Sequence, residues 1–134
     1  MKGWIATCRP GDYVGIQAYL APSPETWAGL TDLRRRILES CRVATTLGYG
    51  PRFLHSTGQL HKGGPDTGLF LQIVDTPKHD AEVPGAGYTF GQLIRAQALG
   101  DFQALLQKHR RAIRVDLGGD VVAGLQRLTG ALDG

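Results

Sequence analysis

Apolar and polar positions alternate along this chain in two distinct rhythms, one of strands and one of helices. Tyr13-Val14-Gly15-Ile16-Gln17-Ala18-Tyr19-Leu20 is mostly apolar and of strand length, as is Gly68-Leu69-Phe70-Leu71-Gln72-Ile73-Val74-Asp75, the clearest buried strand. Runs apolar on both faces suit a parallel sheet covered on both sides. Val43 to Leu47 is β-branched and apolar, a short strand or turn running into Gly48. Arg111 to Leu117 alternates polar and apolar, which predicts a strand near a sheet edge with one face partly wet.

Between these runs the period changes to three and four. Ser23 is a good N-cap and Pro24 fits the first helical position, opening a helix whose apolar face is Trp27, Leu30, Leu33, Ile37 and Cys41. Thr89-Phe90-Gly91-Gln92 has capping-box spacing. It opens a helix presenting Phe90, Leu93, Ile94, Ala98, Phe102, Leu105 and Leu106, with Gly100-Asp101 as the expected point of an interruption or kink. Asp120 caps a last helix with Val121, Val122, Leu125, Leu128 and Leu132 on its face. Residues 1–12 read as the tail of something begun earlier, ending in the turn Arg9-Pro10-Gly11-Asp12. Thr76 to Gly87 reads as an exposed loop with a solvated His79.

Strands separated by helices imply parallel pairing through right-handed crossovers. The predicted fold is therefore α/β, a three-layer, open, mostly parallel sheet with helices on both faces. The 134 residues make one domain, large enough to bury a core without staples. A 42% hydrophobic and 20% charged composition is globular, no run approaches membrane-spanning length, and no signal peptide opens the chain, so a cytoplasmic location is expected. Cys8 and Cys41 have neither metal spacing nor the look of a disulfide framework, and Cys41 reads as a core thiol. The net charge of +3 favours anionic partners weakly. The sequence has no recognition helix or interleaved aromatics, so nucleic acid is not an expected partner. The consecutive Arg34, Arg35 and Arg36 fan around their helix as a solvated surface.

One connection departs from this pattern. From Gly48 to Pro65 it concentrates Arg52, His55, Ser56, Thr57, Gln59, His61 and Lys62 between glycines and prolines. Gly63 and Gly64 allow close approach beside the Lys62 cation. Ser56 and Thr57 could hold phosphate oxygens, His55 and His61 could move protons near neutral pH, and Gln59 could bind sugar hydroxyls. On a helix, His55, Gln59 and Lys62 would share one face. The segment is neither a Walker A loop nor a dinucleotide fingerprint, and the histidines lack metal spacing, so no cofactor or metal is expected. Spacing alone also suits a surface lysine and histidines packed on a sheet, and leaves both readings open.

The stretch Gly48-Tyr49-Gly50-Pro51-Arg52-Phe53-Leu54-His55-Ser56-Thr57-Gly58-Gln59, with Lys62-Gly63-Gly64-Pro65, resembles the C-terminal part of bacterial transaldolase/glucose-6-phosphate isomerase fusion proteins. Arg9 to Tyr13, Val43 to Leu47, Phe90-Gly91, Arg95 to Asp101 and Arg114 to Gly118 extend the likeness over nearly the whole chain. The resemblance implies a sugar-isomerase (SIS-type) domain that binds a phosphorylated sugar and serves aldose-ketose isomerisation. It gives Lys62 and His55 catalytic roles in ring opening and charge stabilisation. It makes Arg52, Ser56, Thr57, Gln59, His61, Gly63 and Gly64 substrate-binding residues. In that family the phosphate loops and the proton-carrying glutamate belong to domains upstream of residue 1. Glu25, Glu39 and Glu82 have no matching motif around them. The implied partners are those upstream domains, or a separate chain carrying them, and an exposed apolar face predicts a homodimer. A non-catalytic phosphosugar-binding or regulatory module is the alternative.

Overall fold

The strands find their order through register. The computed structural model describes residues 2–50, 67–75 and 84–132. Strands β1 (Tyr13–Tyr19), β2 (Ala44–Tyr49), β3 (Gly68–Val74) and β4 (Arg111–Asp116) form one all-parallel sheet in the order β2-β1-β3-β4. The helices are α1 (Lys2–Ile5), α2 (Pro24–Cys41), α3 (Phe90–Gln107) and α4 (Val121–Gly130). The segment from Val43 is a full strand rather than a turn, and it continues through Gly48 and Tyr49. As expected, the Arg111 strand lies at an edge and is half-buried along most of its length.

Alternation along the strands separates two faces. Val14, Ile16 and Ala18 of β1 join Leu69, Leu71 and Ile73 of β3 on one face, where Leu30, Leu33 and Ile37 of α2 and Leu125 and Leu128 of α4 cover them. Helix packing there is close: a Cβ on Gly29 would lie 2.8 Å from Leu125 Cδ1, and one on Gly124 would lie 2.7 Å from Leu117 Cβ. Tyr19 and Val74 face the other way, against Ala98 and Ile94 of α3. Helices thus lie on both faces of the sheet, as the pattern predicts.

The caps act as their residue types dictate. Ser23 accepts from the Thr26 N–H at 3.0 Å and Asp120 from the Ala123 N–H at 3.1 Å. Thr89 and Gln92 close a reciprocal capping box. Helix α3 runs through Gly100-Asp101 without interruption, since a glycine cost of about 1 kcal/mol is small for a helix of 18 residues. Its buried residues are Ala98, Asp101 and Leu105, while Phe90 and Leu106 of the expected face are exposed. On α2, Thr26 is buried and Trp27 stays 47% exposed.

Residues 2–12 are docked onto the sheet. Trp4 Nε1 donates to the Arg111 carbonyl at 2.9 Å, and Arg111 Nη1 donates to Thr7 O at 2.8 Å and Asp12 Oδ2 at 3.0 Å. The arginine run is likewise more than a solvated surface. Arg34 donates to Thr45 Oγ1 at 2.8 Å and Thr45 O at 2.9 Å, tying α2 to the edge strand, and Arg35 pairs with Asp32 and Glu39.

Candidate functional site at the carboxyl edge of the sheet

In this strand order β1 continues through α2 towards β2, while β3 continues through α3 towards β4 on the opposite side. The two connections diverge at the carboxyl ends of β1 and β3, where the strand order reverses. Open α/β sheets bind ligands at such a point. The chemistry-rich segment departs from this edge. Gly50 N–H donates to Ala18 O at 2.8 Å, so the chain leaves β2 still bonded to the end of β1.

Around that departure point the side chains are fixed. The Trp27 and Tyr49 rings lie 5.7 Å apart at 36°, joining the first turn of α2 to the end of β2. Burial raises the Tyr49 phenol, with a contact to the Ser23 backbone working against it. Tyr49 is therefore a neutral hydroxyl at physiological pH, suited to hydrogen bonding and not to charge transfer.

On the α3 side of this edge both β3 and β4 run into aspartates. Val74 pairs in register with Asp116, and Asp75 follows Val74. Arg95 of α3 donates to Asp75 O at 2.7 Å and to Asp116 Oδ2 at 3.3 Å, while Asp116 Oδ1 accepts from the Gly118 N–H at 2.9 Å. Burial raises the Asp75 carboxyl above its ordinary range. Arg95 opposes that shift and the Asp116 charge adds to it. A half-buried carboxyl shifted this way can hold or release a proton nearer neutrality than an exposed one.

Lys62, His55, Arg52, Ser56, Thr57, Gln59, His61, Gly63 and Gly64 lie outside the described residues, as do His79 and Glu82. Of the motif, Gly48, Tyr49 and Gly50 are described, and they end β2 at the carboxyl edge. Glu25 is exposed in the first turn of α2, and Glu39 is ion-paired with Arg35 at 3.2 Å. Sequence reasoning missed the cluster of Arg95, Asp75 and Asp116. Its available signal was that two predicted strands, one apolar and one alternating, each run into an aspartate. Among the described residues no group of three or more His, Cys, Asp or Glu is placed to hold a metal ion, and no helix is long and apolar enough to cross a membrane.

No family model matches this chain, and no curated protein matches it. Among solved structures it is similar to a hypothetical protein of Thermus thermophilus, with a TM-score of 0.67 and 20% identity over 90% of this chain. The chain spans 34% of the length of that protein. At this identity the likeness concerns the fold alone, and it supports the parallel α/β architecture that the strand pairing shows.

Proposed function

We propose that this chain is the C-terminal domain of a glucose-6-phosphate isomerase, acting on glucose 6-phosphate and fructose 6-phosphate together with an upstream domain. The observation that carries the reading is positional. The segment resembling the isomerase motif leaves β2 at the carboxyl edge, bonded to the end of β1 at the strand-order crossover. Helices α2 and α4 follow the carboxyl ends of β1 and β4 after short turns, placing two helix N-termini on the same edge. In this reading Lys62 and His55 assist ring opening and stabilise developing charge, and the remaining motif residues hold the phosphosugar.

The glutamates favour a division of labour. Glu25 is solvent-exposed and Glu39 is engaged by Arg35, so neither is held as the proton carrier of an enediolate mechanism. That specific observation keeps a second reading, a phosphosugar-binding module without turnover of its own. A coupled assay from fructose 6-phosphate to glucose 6-phosphate separates the two, run on the chain alone and then with an upstream isomerase domain. Turnover restored by the added domain and lost in Lys62→Ala supports the isomerase. Absence of turnover in both mixtures, with analogue binding retained, supports the module.

A further inference from the structure

The chain's two tryptophans are used in opposite ways. Trp4 is 8% exposed, packs in the main core and donates its indole N–H to Arg111 O at 2.9 Å. Trp27 is 47% exposed, although periodicity places it on the apolar face of α2. In the first turn Thr26 is buried instead, held by the Ser23 cap, whose hydroxyl donates to Thr26 Oγ1 at 2.9 Å and accepts from the Thr26 N–H at 3.0 Å. Helical side chains lean toward the N-terminus of their helix, so Trp27 reaches back over the turn that follows β1. Tyr49 steadies the indole from one side, the rings lying 5.7 Å apart at 36°. Tyr49 itself ends β2, in register with Ala18, whose carbonyl accepts from the Gly50 N–H at 2.8 Å. The exposed part of the indole therefore stands at the carboxyl edge, beside the residues from which the motif segment departs.

We propose that Trp27 is a stacking platform for the sugar ring of the ligand, its indole face packing on the C–H face of a pyranose. The inference rests on the phosphosugar reading of this edge and names a binding residue outside the motif. A large apolar ring left in water forgoes burial that a ligand face restores. The surroundings of Trp27 on the helix decide the size of what covers it. Ser23 is half-buried, Thr31, Arg34 and Arg35 are exposed and polar, and Leu38, the next large exposed hydrophobic of α2, lies about three turns on. A protein partner would need a continuous apolar patch. One ring amid polar groups fits a ligand with one apolar face and a rim of hydroxyls, which describes a pyranose.

The test titrates the full chain with 1,5-anhydroglucitol 6-phosphate, a pyranose that cannot open, and separately with inorganic phosphate, which has no ring. Calorimetry and ligand proton spectra follow binding to the parent, Trp27→Phe and Trp27→Ala. In the parent, sugar C–H protons should move upfield under the indole ring current. Trp27→Ala should weaken the sugar phosphate about threefold to tenfold, the scale of one aromatic contact, and Trp27→Phe should weaken it less. Neither variant should alter the affinity for inorganic phosphate. A purely structural role through Tyr49 would weaken both ligands together and leave the sugar protons unshifted, which overturns the proposal. Equal affinity of the parent and Trp27→Ala for the sugar phosphate overturns it too, while leaving the phosphosugar reading standing. Absence of sugar-phosphate binding by the parent overturns both.

Discussion

The two faces of the sheet are built on different principles. Under α2 and α4 the contacts are dry: Ile16, Leu30, Leu33, Ile37, Leu69, Leu71, Ile73 and Leu125 are all at most 1% exposed. Under α3 the same strands present amides and charged groups. Gln17, Gln72 and Arg114 stand in register across three strands. Gln72 is fully buried, donating Nε2 to Ala98 O at 2.8 Å, with no partner for its Oε1 among the described residues. Tyr19 lies there too, its phenol pushed up first by burial and then by the charge of Asp101, itself a buried residue of α3. The dry face supplies non-directional burial, the main driving force for folding. The α3 face places polar groups whose burial stabilises little and must be justified by specific bonding.

Substitutions at adjacent residues of β3 sharpen that contrast most. Leu71→Ala on the dry face should cost about 2–5 kcal/mol, through lost transfer free energy and the cavity left behind. Gln72→Leu, one position on, should change stability by about 1 kcal/mol or less, since it removes a buried amide with an unmet acceptor. Urea unfolding of the two variants measures this directly. Equal losses would erase the distinction between the faces.

Glycine-to-alanine changes give the next largest contrast. Gly124→Ala places a Cβ 2.7 Å from Leu117 Cβ and 3.0 Å from Leu117 O, a backbone atom that cannot swing aside. Overpacking of about 1–3 kcal/mol should outweigh the gain in helix propensity of about 1 kcal/mol and lower Tm. Gly100→Ala on α3 meets nothing within 4 Å and should raise Tm, by roughly 0.5–1 kcal/mol of added stability. Thermal scans showing both variants moving in the same direction would contradict this.

The smallest effects, with the sign reversed between the sheet's two ends, come from aspartates. Arg111 hydrogen-bonds Asp12 and holds its carboxyl below the ordinary 3.8, against a smaller opposing effect of burial. A depressed folded pKa adds stability above the unfolded value that disappears as pH falls through the folded one. Asp12→Asn should therefore lower Tm at pH 7, with the difference shrinking below about pH 4. Asp75 has the opposite shift, so its charged form costs stability at neutral pH, and that cost fades as the solution is acidified through its raised pKa. Asp75→Asn should raise Tm at pH 7 and leave it unchanged in acid. Parallel Tm–pH curves for both variants and the parent would refute both assignments.

How far the sequence revealed this fold depended on the chemistry of each element. The parallel strands were legible because both faces are covered, which imposes continuous apolar runs such as Gly68–Val74. The caps at Ser23, Thr89 and Asp120 were legible because capping is local. The buried face of α3 was read only in part: Ile94, Ala98 and Leu105 pack inward as periodicity predicts. Asp101 is buried among them while Phe90 and Leu106 at the face's ends stay exposed, a ranking that hydrophobic periodicity cannot make. The meeting of Arg95, Asp75 and Asp116 is a product of tertiary register, not of spacing. Of the candidate site, the sequence indicated the segment, and the structure supplies the edge from which it leaves.

The central claim is that a phosphosugar binds at the carboxyl edge through the segment that leaves β2 at Gly50. Titration of the labelled chain with 6-phosphogluconate, followed by amide chemical shifts, tests it most directly. Saturable shifts are expected at Gly48 to Gly50, Ser23 and Asp75, with affinity reduced about tenfold or more in Lys62→Ala, the scale of one lost charge-assisted hydrogen bond. An unchanged spectrum, or shifts confined to the opposite edge around Cys8 and Cys41, would contradict it.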